Sequence, residues 1–383
     1  MRDSGLFAFC LAYTRRGMRA CLAFGLVVLA AITACDDKKA PPAPEPAPTA
    51  EASGASVAPS SKPAGTIPKF DPEQTRLFQP IPEGVEKPTV DDATKLGQML
   101  FWDARLSASG KIACVTCHDF SKAGADGLVT HVAVGDAGAP DGGALAPRNT
   151  PTVFNCGGSF SQGWDGRSST PEEFATAHTL EPGGMGISDE KKLVAILSGI
   201  PAYAAAFKRA FPEDSPAISG ETYGRAVGGF TKKLFARARW DKYLAGDKDA
   251  VNADELAGFA MFVEAGCTSC HQGKYVGASQ LQKLGMAKPW PPPSGDDPGR
   301  FAFSKQAMDR GMWKVPTLRN VTRTGPYLHD GSIPTLAEVT KLMARHQVGK
   351  EITDQQAGAI VKFLGTLEGD PPKVLTEKPA LPK

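Results

Sequence analysis

Residues 114–118 read Cys-Val-Thr-Cys-His, and residues 267–271 read Cys-Thr-Ser-Cys-His. Both have the Cys-x-x-Cys-His spacing through which c-type haems are attached. Cysteines three residues apart lie on one side of a helical turn, where both sulfurs can reach the vinyl groups of a porphyrin. The next residue can then direct its imidazole at the iron. The motifs therefore predict two covalent haem c groups, held by Cys114, Cys117, His118, Cys267, Cys270 and His271.

A structural zinc site is the alternative for a Cys-x-x-Cys unit. Zinc ribbons pair two such units roughly 15–20 residues apart, whereas these two start about 150 residues apart. Histidine fills 6 of 383 positions, so its accidental presence after both units has a chance of roughly 1 in 4,000. Haem attachment is the favoured interpretation.

Length, charge and cysteine content limit the class of protein. A chain of 383 residues with 42% hydrophobic content has room for about two domains. The net charge is only +2, so no basic field indicates a nucleic-acid partner. Outside the haem motifs and the first 35 residues only Cys156 remains, which excludes a disulfide framework.

The first residues predict export from the cytoplasm. A positive region ending at Arg19 precedes an apolar run over residues 20–34, which is too short to span a membrane. The run ends in Ile-Thr-Ala-Cys at residues 32–35 and resembles a bacterial lipoprotein signal. We therefore expect a periplasmic protein anchored to a membrane through lipidated Cys35, with plain secretion as the alternative.

Composition also divides the chain into segments. Residues 35–70 are rich in Pro and Ala with few large apolar side chains, so they predict a disordered linker behind the lipid anchor. The predicted segments are a signal peptide over 1–34, this linker over 35–70, an N-terminal haem domain over 71–240, a C-terminal haem domain over 241–370 and a frayed tail over 371–383.

Helical patterns dominate both predicted domains. An amphipathic helix from about Asp91 leads into the first haem motif, and another from Asn252 leads into the second. Cap patterns mark further helix starts at Thr335 and Thr353. Strand signals are sparse, and the Gly- and Pro-rich stretch 122–163 predicts a long ordered loop. The predicted fold class is all-α.

From about residue 95 to residue 370 the chain resembles the bacterial di-haem cytochrome c peroxidase family. Besides the two haem motifs, the resemblance rests on Arg105-Leu106-Ser107, Arg148-Asn149-Thr150-Pro151-Thr152-Val153, Trp164-Asp165-Gly166-Arg167, Val315-Pro316-Thr317-Leu318-Arg319-Asn320 and His329-Asp330-Gly331. It implies two cytochrome c-like domains, each with a haem, and an active site between them.

The resemblance also implies the iron ligands. His118 would bind the first iron and His271 the second, with Met343 as the axial ligand on the second haem. A soft thioether favours ferrous iron and raises the potential, which would make the second haem the electron-accepting one. The alternative for Met343 is an apolar residue on a helix face. His131 lies about three positions from the family's distal histidine, so it either binds the first iron or is solvated.

Four further residues match functional positions of the family. Trp164 matches the tryptophan between the haems, where an indole can relay electrons, although core packing is a frequent role of tryptophan. Asn149, Thr324 and Pro326 match positions that supply oxygen ligands to a calcium ion at the domain interface.

Two polar residues of the family's peroxide site are missing. The family has a glutamate before a Met-Gly pair, where this chain has Gly184, and a glutamine where this chain has Phe174. Cleavage of peroxide needs a group that moves a proton between its two oxygens. Glu181 or His178 can take this role, or both are ordinary loop residues on the surface.

Three functions are compatible with these residues. The favoured one is a cytochrome c peroxidase that reduces hydrogen peroxide with electrons from a small cytochrome c or cupredoxin. The second is a di-haem oxidase that matures a cofactor on a partner protein, but that branch has tyrosine in place of Met343. The third is a non-catalytic electron carrier or redox sensor, which Gly184 and Phe174 would suit. The oligomeric state stays open between a monomer and a homodimer.

Overall fold

A computed structural model describes residues 65–129, 148–291, 294 and 297–383. Cys35 and His131, for which we predict a lipid anchor and an iron ligand, lie outside these residues. The described part is mostly helical and has one short antiparallel sheet, which confirms the all-α prediction. No single helix in this part has the length and apolar character of a membrane span. The helices Glu190–Ser198 and Pro201–Ala210 meet that test only together, as a pair bent by 105°.

The α-helices and strands follow one another with long connections that include short 3₁₀ turns. The helices are α1 Asp92–Trp102, α2 Cys114–Cys117, α3 Pro171–Leu180, α4 Glu190–Ser198, α5 Pro201–Ala210, α6 Gly220–Thr231, α7 Arg239–Leu244, α8 Ala253–Glu264, α9 Phe301–Ser304, α10 Leu336–Leu342, α11 Asp354–Gly365 and α12 Lys373–Thr376. The strands are β1 Leu281–Lys283 and β2 Met312–Lys314, with Leu281 opposite Lys314.

Side-chain caps fix the predicted helix starts. The Asp91 carboxylate accepts a hydrogen bond from the Thr94 amide at 2.8 Å and begins α1. Asn252 begins α8 and Thr353 begins α11, each in a reciprocal capping box, and Thr335 caps α10. Because a cap satisfies amides that have no partner inside the helix, these starts are encoded locally. All four predicted starts are confirmed.

The first haem motif lies in a domain built on α1, α3, α5 and α6. Helix α1 approaches α6 so closely that a Cβ on Gly97 would lie 2.0 Å from the carbonyl oxygen of Ala226. The close approach lets large apolar side chains of several elements share one core. The core includes Leu96, Leu100, Phe101, Phe154, Tyr203, Phe207, Tyr223 and Phe230.

The second haem motif lies in a domain built on α7, α8 and α11. Gly258 allows α8 to meet α11, because a Cβ there would lie 2.0 Å from the carbonyl oxygen of Ala359. Aromatic rings fill the space between these helices, and neighbouring ring centroids are 4.9–5.3 Å apart. The rings belong to Trp240, Phe259, Phe262 and Phe363.

The start of the described chain packs on the second domain, although it precedes the first. Phe70 lies edge-on to Phe259 at 6.0 Å, and Phe78 contacts the same ring at 5.4 Å. Two boundaries in our prediction are therefore wrong: the linker over 35–70 ends before residue 70, and the domain over 71–240 does not include its own first residues. Large apolar side chains at the end of a polar segment were enough to dock it.

The tail over 371–383 is also ordered, which corrects the prediction that it frays. Leu375 on α12 has 0% of its surface exposed and belongs to the core of the first domain. The Gln98 side-chain amide of α1 donates to the carbonyl oxygens of Val374, Leu375 and Glu377 at 3.0–3.2 Å. The N-terminal end of the described chain therefore packs on the second domain, and the C-terminal end packs on the first.

A buried ion pair joins segments of the chain that are distant in sequence. The Arg319 guanidinium donates to both carboxylate oxygens of Asp241 at 2.7 and 2.8 Å, and both side chains have 0% exposure. Asp241 also accepts hydrogen bonds from the amides of Ile81 and Ala238, each at 2.7 Å. The pair therefore holds three separate parts of the chain together.

Candidate functional site

The first Cys-x-x-Cys-His motif lines a large cavity. Cys114 and Cys117 lie at the two ends of α2, and His118 follows directly. The cavity together with the open space at its mouth has an empty volume of about 1270 Å³. His118 Nδ1 lies 3.1 Å from the carbonyl oxygen of Gly124, a contact that orients the imidazole. Burial raises the pKa of the Cys114 thiol to about 12.

The second motif lines another cavity, of about 1360 Å³. Cys267 and His271 face this cavity, whereas Cys270 is half-buried in the same turn but is not part of the cavity wall. His271 Nδ1 lies 3.3 Å from the carbonyl oxygen of Val276. Burial lowers the pKa of His271 to about 4, so its imidazole is neutral, the form that binds metal ions. Both cavities present the thiol and imidazole groups that a haem c requires.

Met343 lines the same cavity as His271. It starts a π-helical turn, Met343–Val348, that continues α10, and such turns occur frequently at functional sites. It also packs beside Leu336 and Val339, so the structure gives it both an apolar environment and access to the cavity. Ligation of iron by Met343 stays a prediction, with the required placement satisfied.

Trp164 lies where the two cavities approach each other. It lines the second cavity, and its neighbour Gly163 lines both. The indole Nε1 donates to the carbonyl oxygen of Asn149 at 2.8 Å, and the Trp164 carbonyl accepts from the Lys314 amide at 2.8 Å. Trp164 is half-buried and faces the cavity, a position that suits an electron relay, which stays a prediction.

Comparisons with known proteins identify this arrangement. Residues 91–249 match the family model described as di-haem cytochrome c peroxidase, and residues 256–368 match that of cytochrome c. A cytochrome c551 peroxidase from Nitrosomonas europaea is 38% identical over 284 residues, which cover 73% of this chain and 81% of that protein. This chain belongs to the bacterial di-haem cytochrome c peroxidase family. Two haem c groups are its cofactors, and it is an oxidoreductase.

Other members of the family carry different names. The methylamine utilization protein MauG of Methylorubrum extorquens is 31% identical over 310 residues, which cover 77% of this chain and 84% of that protein. The crystal structure of a MauG-like protein associated with microbial copper homeostasis superposes with a TM-score of 0.62 at 26% identity, over 82% of this chain and 97% of that one. The di-haem peroxidase family thus includes relatives whose names indicate more than one role.

An aromatic stack lines the first cavity at the position where the resemblance expects a polar glutamine. Phe174 and His178 of α3 both line the first cavity, and their rings are parallel, with centroids 5.4 Å apart. The Arg167 guanidinium lies 5.3 Å from the Phe174 ring centroid and donates to the Glu181 carboxylate at 2.5 Å. Of the two predicted proton-transfer residues, the structure places His178 on the cavity wall and Glu181 behind it.

Glu181 is held as an anion. Its carboxylate lies 3.5 Å from His178 Nδ1. The neighbouring His178 and the charge of Arg167 lower the pKa of Glu181, against the opposing effect of burial. An ionised carboxylate beside an imidazole stabilises the protonated imidazole. Glu181 is therefore suited to support His178 rather than to donate a proton itself.

The position of the family's glutamate has no room for a side chain. A Cβ on Gly184 would lie 2.0 Å from the His178 carbonyl oxygen and 2.8 Å from His178 Nδ1. The turn that follows α3 folds back on the helix end, where the Met185 amide donates to the same carbonyl at 3.1 Å. The imidazole of His178 therefore occupies the space beside Gly184 that the missing side chain leaves.

The three predicted calcium ligands, Asn149, Thr324 and Pro326, lie on the wall of the second cavity. The Asn149 side-chain amide donates to the carbonyl oxygen of Leu128 at 2.6 Å, which directs its nitrogen away from any cation. In the described part of the chain no group of three or more His, Cys, Asp or Glu could hold a metal ion. Calcium binding stays a prediction for these oxygen atoms.

Sequence reasoning missed a second stack beside Trp164. His329 is 3% exposed and lies parallel to Trp313, with ring centroids 3.8 Å apart. Its Nε2 is buried without a hydrogen-bond partner among the described residues, and burial lowers the pKa of His329. The Arg148 guanidinium lies 4.9 Å from the Trp313 ring centroid. The string His329-Asp330-Gly331 supported the resemblance, but no local spacing connects it with Trp313.

Proposed function

We propose that this protein reduces hydrogen peroxide to water at the first cavity, with His178 as the group that moves protons. The observation that carries the proposal is the place of His178: it lines the first cavity beside Gly184, where the family's glutamate would stand. His178 Nδ1 lies 3.5 Å from the Glu181 carboxylate, and we propose Nε2 as the nitrogen that exchanges protons with peroxide.

The chemistry requires two protons and two electrons for each peroxide. A haem bound in the first cavity would supply the iron that binds peroxide. The His178 imidazole would accept a proton from one peroxide oxygen and deliver it to the other, which leaves as water. Glu181 stays ionised and stabilises the imidazolium between these two events. Proton transfer of this kind contributes about 10²–10⁴-fold to a rate.

We propose that electrons enter through the second cavity from a small cytochrome c or cupredoxin. His271 and Met343 would hold the second iron, and a thioether ligand gives that haem the higher potential. Trp164, beside the wall between the cavities, would relay electrons to the first haem. The different ligands of the two irons support a division between storage and reaction.

The sequence also supports a proposal for the location of the protein in the cell and for a bound calcium ion. We propose that the protein is exported to the periplasm and held at a membrane through Cys35, because residues 32–35 resemble a lipoprotein signal. A calcium ion bound by oxygen atoms of Asn149, Thr324 and Pro326 would fix the contact between the domains.

Steady-state oxidation of a reduced cytochrome c by peroxide tests the proposal in the haem-loaded protein. We expect turnover in the unchanged chain and a kcat about 10²–10⁴-fold lower in His178→Gln. Glu173→Gln is the matched control: it alters the charge of α3 and keeps the capping box, but Glu173 does not line the cavity. Equal kcat values for His178→Gln and Glu173→Gln would contradict the role of His178.

An electron carrier or redox sensor is the second candidate. Phe174 favours it, because an apolar ring stands on the cavity wall where the family has a polar glutamine. Absence of turnover after selective reduction of the second haem, with both haems present, would support the carrier. A cofactor-maturing oxidase is less well supported, because Met343 replaces the tyrosine of that branch.

A further inference from the structure

One wall separates the two haem cavities and belongs to both. It is formed by Thr150, Pro151, Thr152, Gly163, Lys314 and Thr317. Lys314 ends β2, and its backbone amide is fixed to the carbonyl of Trp164. Of these six residues only Lys314 carries a formal charge. A single ammonium group therefore has access to both cavities.

The other polar groups of this wall have protein partners. The hydroxyls of Thr150, Thr152 and Thr317 each donate a hydrogen bond at 2.6 Å, to the Asp126 carboxylate and to the carbonyls of Ala123 and Tyr275. The Lys314 ammonium makes no hydrogen bond or ion pair with any residue in the described part of the chain. Lys314 is thus the wall group that needs a partner from outside the protein.

The nearby carboxylate does not satisfy Lys314. Asp165 acts on Lys314 only from a distance, because it is engaged by Arg148 at 2.7 Å and by Arg167 at 3.6 Å. Burial lowers the pKa of Lys314 to about 8, against the weaker effects of Cys156 and Asp165. The Lys314 side chain is half-buried on the wall of both cavities and has no counter-ion, so an anion that enters either cavity would be attracted to its ammonium.

We propose that the Lys314 ammonium binds the carboxylate groups that the haems bring to this wall and raises the reduction potentials of both haems. A haem carries carboxylate side chains, which are the anions that these cavities would hold. A positive charge beside a haem disfavours the ferric form, which carries one more positive charge than the ferrous form. Loss of the ammonium should therefore lower both potentials.

An equilibrium redox titration tests this proposal without peroxide. Spectroelectrochemistry of the protein loaded with two haems gives one midpoint potential for each haem. We expect Lys314→Met to lower both, with about a tenfold rise in the ferric-to-ferrous ratio at a fixed potential, about 59 mV for a one-electron couple. Lys314→Arg should restore both values. Lys283→Met, the control, removes an exposed lysine from β1 and should change neither.

The outcomes separate this inference from the peroxidase proposal. If Lys314→Met shifts neither potential more than Lys283→Met does, or shifts only one of them, the inference is wrong. Haem content is checked by pyridine haemochrome, and Lys314→Gln provides the same charge loss if Lys314→Met fails to assemble. Because the titration contains no peroxide, its result is independent of whether the protein turns over.

Discussion

Gly184→Ala is the sharpest test of how the first cavity is built. The added Cβ would lie 2.0 Å from the His178 carbonyl oxygen, far inside the 3.4 Å at which ordinary contacts begin. Either the turn after α3 or the end of that helix must move by more than 1 Å. The carbonyl cannot move freely, because it accepts the Met185 amide at 3.1 Å.

The expected loss of stability follows from these two contacts. Overpacking of a buried position costs about 1–3 kcal/mol. Loss of the Met185 hydrogen bond costs about 0.5–1.5 kcal/mol more. We therefore expect Gly184→Ala to lower the free energy of unfolding by about 1.5–4.5 kcal/mol. Gly183→Ala is the matched control, because a Cβ on Gly183 meets nothing within 4 Å.

Urea unfolding of the haem-loaded protein, followed by the absorbance of the first haem, measures the difference. If Gly184→Ala and Gly183→Ala agree within about 0.5 kcal/mol, the crowding argument is refuted. The crowding at Gly184 also predicts the effect of a larger side chain on peroxide turnover. Gly184→Glu, which restores the family's residue, should displace His178 and lower peroxide turnover rather than raise it.

Three further results are expected. Arg319→Met leaves the buried Asp241 carboxylate without its counter-ion, so it should lower the free energy of unfolding by about 3–5 kcal/mol in urea titrations. The double variant Asp241→Leu with Arg319→Met should recover part of this loss. In the same assay, Leu375→Ala should lower the free energy of unfolding by about 2–5 kcal/mol, whereas Val374→Ala, at a side chain that is 51% exposed, should lower it by under about 0.5 kcal/mol. Equal values for the two variants would show that the tail does not dock. The pKa of Glu181 is lowered in the folded protein, so the ionised carboxylate stabilises the fold above its unfolded pKa, and this stabilisation is lost as the pH falls through the folded pKa. In thermal melts, the melting temperature of Glu181→Gln should therefore fall less on acidification than that of the unchanged chain.

Local features of the fold could be predicted from the sequence. The haem motifs span five residues each and the capping boxes four, so their geometry depends on one helical turn. For this reason α8 and α11 start where their caps predict. The expected iron ligands His118, His271 and Met343 lie on the walls of two cavities, and ligation by them stays a prediction.

Features that depend on distant contacts could not be predicted. The stack of His329 on Trp313 and the docking of Phe78 on Phe259 join residues whose neighbours in sequence give no sign of the pairing. The sequence showed that Gly184 lacks a side chain, but the reason is the turn that folds back over the end of α3. Burial of Leu375 in a segment rich in Pro and Lys is of the same kind.

Because each end of the described chain packs on the domain of the other half, the molecule cannot be divided into single-haem fragments by one cut. A cut between Arg239 and Trp240 would give each fragment one haem motif, but the first fragment would carry Phe78 without its aromatic neighbours. The second fragment would carry Leu375 without the core that covers it. Single-haem fragments for spectroscopy therefore need circular rearrangement, with residues 65–81 joined to the second half and residues 371–383 to the first.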